Sequence, residues 1–123
     1  MLGSAFATLP AKNLEESKKF FKDVLDLEVI DENAGGITFQ TGSSKIFVYE
    51  SEYAGTNQAT ALSWDVDSVR DTVDTLKKRG VNFERYDMPG VSHEGDVHIM
   101  ESLHAAWFKD PAGNILALTS EVG

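Results

Sequence analysis

The sequence predicts an α+β fold built from two tandem βαβββ modules. Three observations predict it: the order strand, helix, three strands is spelled twice, both helices open on a capping box, and their inward positions match. Leu14 pairs with Val69 and Phe21 with Leu76 at a shared offset of 55 residues (69 − 14 and 76 − 21). Such self-similarity points to one supersecondary unit used twice, each copy too small to close its own core. The expected boundaries are about 4–52 for module one and about 58–120 for module two, within a single domain, 1–123.

Taking the elements in order, "ATLPA" at 7–11 reads as a short strand. Asn13 followed three residues later by Glu16 is a capping box, which satisfies free backbone donors at a helix start. Leu14, Ser17, Phe20, Phe21, Val24 and Leu25 then fall on one stripe, with Glu15, Lys18, Lys19, Lys22 and Asp23 facing water, so an amphipathic helix ends near Asp26. Strands follow at about 28–31, 36–40 and 45–50, divided by the turn-forming runs Asn33–Gly36 and Gly42–Ser44. The second half opens with a strand at 61–66. Ser68 with Asp71 caps a helix that carries Val69, Val73 and Leu76 inward, and Gly80 stops it after Lys77, Lys78 and Arg79. Strands are expected near 82–88, 104–109 and 114–119.

Composition narrows the chemistry. A chain of 123 residues, 41% hydrophobic, is large enough to bury a core without staples. There is no cysteine, which removes disulfides, thiolate zinc sites and a thiol nucleophile, and suits a reducing, cytoplasmic setting. The first ten residues lack the basic flank and apolar stretch of a signal peptide, and no run approaches the roughly 18 apolar residues of a membrane span. Eleven basic residues against twenty acidic ones give a formal charge of −9, which repels phosphate backbones and acidic membrane surfaces. Neither nucleic acid nor membrane is an expected partner. The charge suits attraction of a cationic ligand, and equally suits simple solubility.

Period-two alternation separates the two faces of a sheet. Leu9, Ala11, Phe47, Tyr49, Leu62, Trp64, Val66, Leu116 and Leu118 read as the face beneath the helices. The opposite set is Phe6, Thr8, Ile46, Val48, Glu50, Ala61, Ser63, Asp65, Ile115, Ala117 and Thr119. Being small, mixed and partly polar, it fits a pocket wall or a contact with another subunit.

The doubled order, "NLEESKKFFKDVLDLEV" after the first strand and "AAWFKDPAGNILAL" near the end resemble the vicinal oxygen chelate superfamily over about residues 5–119. That group includes glyoxalase I, extradiol dioxygenases, fosfomycin-resistance enzymes and bleomycin-resistance binding proteins. The resemblance implies a curved, cup-like mixed sheet with helices on the convex face, a small-molecule ligand in the cup and a homodimer. Its metalloenzymes place His, Gln or Glu ligands on the concave face, in the first and last strands of each module. Alignment through Leu14, Val69 and the D-P-x-G-N turn puts Phe6, Val48, Ala61 and Ala117 at those seats. None offers a lone pair to a cation, so no metal and no other cofactor is expected.

The expected ligand-binding residues are therefore Phe6, Thr8, Phe39, Val48, Glu50, Ala61, Ser63, Trp107 and Ala117. Glu50 doubles as the candidate general base or cation anchor, against the plainer reading of a strand-end carboxylate in solvent. Trp107 and Phe39 match when the modules are superposed. Trp107 resembles the position where fosfomycin-resistance relatives present a tyrosine, so it serves stacking or core filling. Residues 88–104 have no counterpart in the first half and suggest a lid or binding loop. His93, Glu94, Asp96, His98 and Glu101 within it match no metal-ligand spacing and read as solvated, with His104 at a strand end. The preferred function is metal-free binding of a cationic or aromatic small molecule. The alternative is a glyoxalase-, isomerase- or dioxygenase-like enzyme with nonstandard catalytic residues.

Overall fold

A computed structural model describes residues 1–121. None of the described helices is long and apolar enough to cross a membrane. The chain divides into two units, Met1–Gln58 with Asp110–Asn114, and Ala59–Lys109 with the residues from Ile115 onward.

The first unit begins with strand β1 (Ala7–Ala11) and helix α1 (Leu14–Lys19). Asn13 caps the helix as its capping box demands, its side-chain oxygen accepting the Glu16 N–H at 3.1 Å. The helix runs on as a π turn over Phe20–Val24, where the Leu25 N–H reaches the Phe20 carbonyl at 3.0 Å. It ends at Asp26, which takes the left-handed conformation (φ 59) that Asp tolerates better than most residues. Strands β2 (Glu28–Asn33), β3 (Gly36–Thr41) and β4 (Ser44–Glu50) complete a four-stranded sheet in the order β1-β4-β3-β2, with β1 and β4 parallel.

Register decides which side chains this sheet buries. Leu9 is paired with Val48 and Thr8 with Phe47, and paired residues share a face. Leu9, Ala11, Ile37, Phe39, Ile46 and Val48 are all buried, and Phe39 lies 5.4 Å from the ring of the helical residue Phe21. Ile46 and Val48 therefore lie beneath the helix, while Phe47 and Tyr49 turn to the opposite, helix-free face. This inverts the facing expected for β4. Val48 belongs to the core, and Glu50, in phase with it and paired with Ala11, stands on the helix side at the exposed end of the strand. Phe39 is likewise core, fully buried.

The second unit opens with β5 (Thr60–Asp65) and helix α2 (Val69–Lys78). The Ser68 hydroxyl accepts the Asp71 N–H at 3.2 Å, and Gly80 follows the helix at φ 93. Val69, Val73 and Leu76 are the buried stripe of the helix. The sheet adds β6 (Phe83–Glu84), β7 (Ser92–Glu94), β8 (Val97–Met100), β9 (Leu103–Lys109) and β10 (Ile115–Glu121), in the order β5-β10-β9-β8-β7, with β6 also paired to β9. Stripped of β7 and β8, the order β5-β10-β9-β6 repeats β1-β4-β3-β2, so the two βαβββ modules are present. The strand expected over 82–88 contracts to two residues. Residues 88–104, expected as a loop, instead contain the β7–β8 hairpin.

Candidate functional site

The repeat, read through register, shows which positions of the two modules correspond. Thr8 pairs with Phe47 in the first sheet and Ser63 with Ala117 in the second; Leu9 pairs with Val48 and Trp64 with Leu118. Phe47, not Val48, is thus the counterpart of Ala117. By the same steps Phe39, paired with Ile46, matches Phe108, paired with Leu116, and both phenylalanines are fully buried. Trp107 matches Thr38 rather than Phe39. The sequence alignment was one residue out along β3 and β4, and a one-residue slip moves every side chain to the other face.

On the helix-free face of the first unit stand Thr8, Thr38, Phe47 and Tyr49. The Phe47 and Tyr49 rings are stacked at 6.2 Å with 9° between planes. Phe6, Thr38, Lys45 and Phe47 line a recess of about 340 Å³, and Phe6, 58% exposed, lies open at it. That volume falls in the range of about 300–1,000 Å³ typical of small-molecule sites.

The helix-free face of the second unit is different in kind. Ser63 and Ala117 are paired there, Ala117 is buried opposite Trp107, and the Thr119 hydroxyl donates to Asp65 at 3.1 Å. Ala61 is the extra residue of a bulge, because Ile115 pairs with Thr60 and Leu116 with Leu62. The bulge lets the Thr60 hydroxyl accept the Trp107 indole N–H at 3.1 Å. Trp107 then meets His98 edge-on at 4.7 Å and Tyr86 at 5.4 Å, and His93 packs on His98 at 4.5 Å.

His98 is the residue that sequence reading missed. It is fully buried, and its Nε2 accepts the Tyr86 backbone N–H at 2.9 Å. An accepting Nε2 carries no proton, so in the neutral ring the proton sits on Nδ1, which is buried without a hydrogen-bond partner. Burial first, and His93 second, hold the imidazole below its usual pKa, partly opposed by backbone groups of Asp96, Ala105 and Tyr86. Burial likewise raises the Tyr86 phenol, with help from Glu84.

The hairpin that carries His93 and His98 is pinned from outside. Arg70 pairs with Glu94, and Asp96, its side chain only 10% exposed, accepts from Lys77 at 2.8 Å and Arg85 at 3.1 Å. The Lys77 hydrogen bond leads the effects that lower the Asp96 pKa. These contacts make residues 92–100 a clasped element of the second sheet rather than a free loop.

A family model for the Glyoxalase/Bleomycin resistance protein/Dioxygenase superfamily matches residues 3–118. The chain belongs to that superfamily. No curated protein matches it in sequence, but solved structures share its fold. The fosfomycin resistance protein FosX from Listeria monocytogenes superposes with TM-score 0.73 at 17% identity, covering 99% of this chain and 95% of that one. The glyoxalase family protein from Enterococcus faecalis gives 0.73 at 18%, covering 95% and 96%. Lactoylglutathione lyase from Agrobacterium tumefaciens gives 0.69 at 16%, covering 96% and 94%.

The superfamily implies a possible metal, and the side chains here do not fit one. At the positions set by the resemblance stand Phe6, Ala61 and Ala117, with Phe47 in place of Val48 by register; the bulge sets Thr60 opposite Ile115, and its hydroxyl already accepts the Trp107 indole N–H. Among the described residues no group of three or more His, Asp or Glu is gathered as a metal site. His98 does not substitute, since its Nε2 is taken by the Tyr86 N–H and its Nδ1 then carries the proton, and His93 stands in no group of three candidate ligands among the described residues.

Proposed function

We propose that this chain is a metal-free small-molecule-binding protein of the glyoxalase/bleomycin-resistance superfamily. One observation carries the reading: Phe6, Ala61 and Ala117, where the resemblance sets metal ligands, and Phe47, which replaces Val48 in the set, all end in carbon, while the neighbouring Thr60 spends its hydroxyl on the Trp107 indole. A site without lone pairs at those positions leaves a cation to bear its dehydration cost unaided, whereas rings and methyl groups favour a flat organic molecule. The Phe6–Phe47 recess supplies stacking surface for one.

The enzyme alternative loses Glu50 as a candidate base, because that carboxylate stands on the helix side of its sheet. The proposal extends to a cytoplasmic homodimer, in keeping with the absence of cysteine and the small size of each module.

Elemental analysis and native mass spectrometry of the purified protein test the reading together. The expected result is a dimer mass without a stoichiometric divalent ion, and organic ligand retained or taken up on titration. One tightly held divalent ion per chain would overturn it.

A further inference from the structure

The recess of the first unit joins two aromatic rings to one ammonium, and that pairing defines a ligand class. Phe6 and Phe47 form apolar walls, Thr38 offers a hydroxyl, and Lys45 stands two residues before Phe47 on the same face of β4. Lys18, Arg70, Lys77, Arg85 and Lys109 are each matched to a carboxylate. Lys45, like Lys12, Lys19, Lys22 and Lys78, has no carboxylate within ion-pair distance among the described residues, but it alone of these stands beside two rings, and its cross-strand neighbour is the uncharged Gln40, whose amide donates to the Gly42 carbonyl.

We infer that this recess selects a flat apolar molecule carrying an anionic group, with the rings on Phe6 and Phe47 and the anion on the Lys45 ammonium. The inference rests on the small-molecule-binding reading above and deepens it by fixing the sign of the ligand. It runs against the net charge of −9, which favours cations at long range. At physiological salt, however, the screening length is about 8 Å, so the nearest charge decides. A second recess, about 430 Å³, makes the contrast: Lys22, Asp23, Asp26, Leu27 and Glu28 line it, with no ring and more carboxylates than ammonium groups.

Three probes of one shape separate the possibilities: 2-naphthoate, 2-naphthylmethanol and 2-naphthylmethylammonium, titrated calorimetrically into the full chain at physiological salt. Naphthoate should bind about tenfold tighter than the alcohol, the scale of a charge-assisted hydrogen bond. Lys45→Met should erase that difference while leaving alcohol binding intact, Lys45→Arg should keep it, and Phe47→Ala should weaken all three. Equal binding of naphthoate and alcohol, or tightest binding of the ammonium, overturns the anion inference but leaves the binding function standing. Unchanged binding by Phe47→Ala places the ligand elsewhere and overturns it as well. If none of the three binds and native mass spectrometry shows no retained ligand, the binding function itself falls.

Discussion

The two modules share a strand order yet present unlike helix-free faces. The first offers an open recess between Phe6 and Phe47 with a lysine at its edge. In the second, the corresponding position is Ala117, and the space is taken by Trp107, His98, Tyr86 and His93 packed on one another. The source of the difference is the β7–β8 hairpin, which has no counterpart in module one and carries both histidines. A duplicated fold thus keeps its core positions alike, Phe39 with Phe108, and spends its variation on the opposite face.

The comparison breaks most readily at the core pair. Phe39→Ala and Phe108→Ala should each cost about 3–5 kcal/mol in denaturant unfolding, as deletion of a buried ring does. Thr38→Ala, at the position matching Trp107, should stay within about 1 kcal/mol. A mild Phe39→Ala would restore Phe39 to the pocket wall and undo the register argument.

Acid sharpens the contrast between the faces, because only module two carries a buried imidazole. The folded state holds His98 below its usual pKa, so the unfolded chain binds more protons as pH drops. This contribution is intact above the unfolded value of about 6.5 and is lost as pH falls from there through the lower folded value. Thermal melts should therefore decline over that window, and His98→Gln, which keeps an acceptor for the Tyr86 N–H but does not titrate, should flatten the decline.

A smaller loss belongs to the clasp. Asp96→Asn should cost about 1 kcal/mol, since its partners Lys77 and Arg85 are largely solvated. The depressed Asp96 pKa makes this stabilisation present above about pH 4 and lost as pH falls further. Unfolding midpoints of wild type and variant should converge in acid.

The smallest effect is expected from Glu50→Gln. Exposed and on the helix side, Glu50 should alter neither naphthoate affinity nor stability by more than about 0.5 kcal/mol. A large loss of binding would return the carboxylate to the ligand.

Helices and their caps were readable from the chain because Asn13 and Glu16, or Ser68 and Asp71, act on each other locally. The doubled order followed from the same local signals. Facing was readable on β1, where Leu9 alternates with Thr8 and Pro10, but not on β4. There Ile46, Phe47, Val48 and Tyr49 are all apolar, so alternation carries no information. A signal was nevertheless present in the Gly42–Ser43 turn. A two-residue hairpin loop pairs Thr41 with Ser44 and hence Phe39 with Ile46, which ties the facing of β4 to that of β3. The His98 cluster lay beyond such reasoning, since burial of an imidazole in an inserted hairpin depends on Trp107 arriving from β9 and Tyr86 from the segment after β6.

The turn Asp110–Asn114 clusters with the first unit although it follows nearly all of the second in sequence. Asn114 donates to the Pro10 carbonyl at 2.8 Å, and Asp110 accepts the backbone N–H groups of Ala112 and Asn114 at 3.0 and 2.9 Å. In synthesis, then, the amide that meets the Pro10 carbonyl is added only after nearly all of the second unit. A gene cut after residue 58 would yield a leading fragment lacking its own closing piece, so this tandem repeat is made to mature as one.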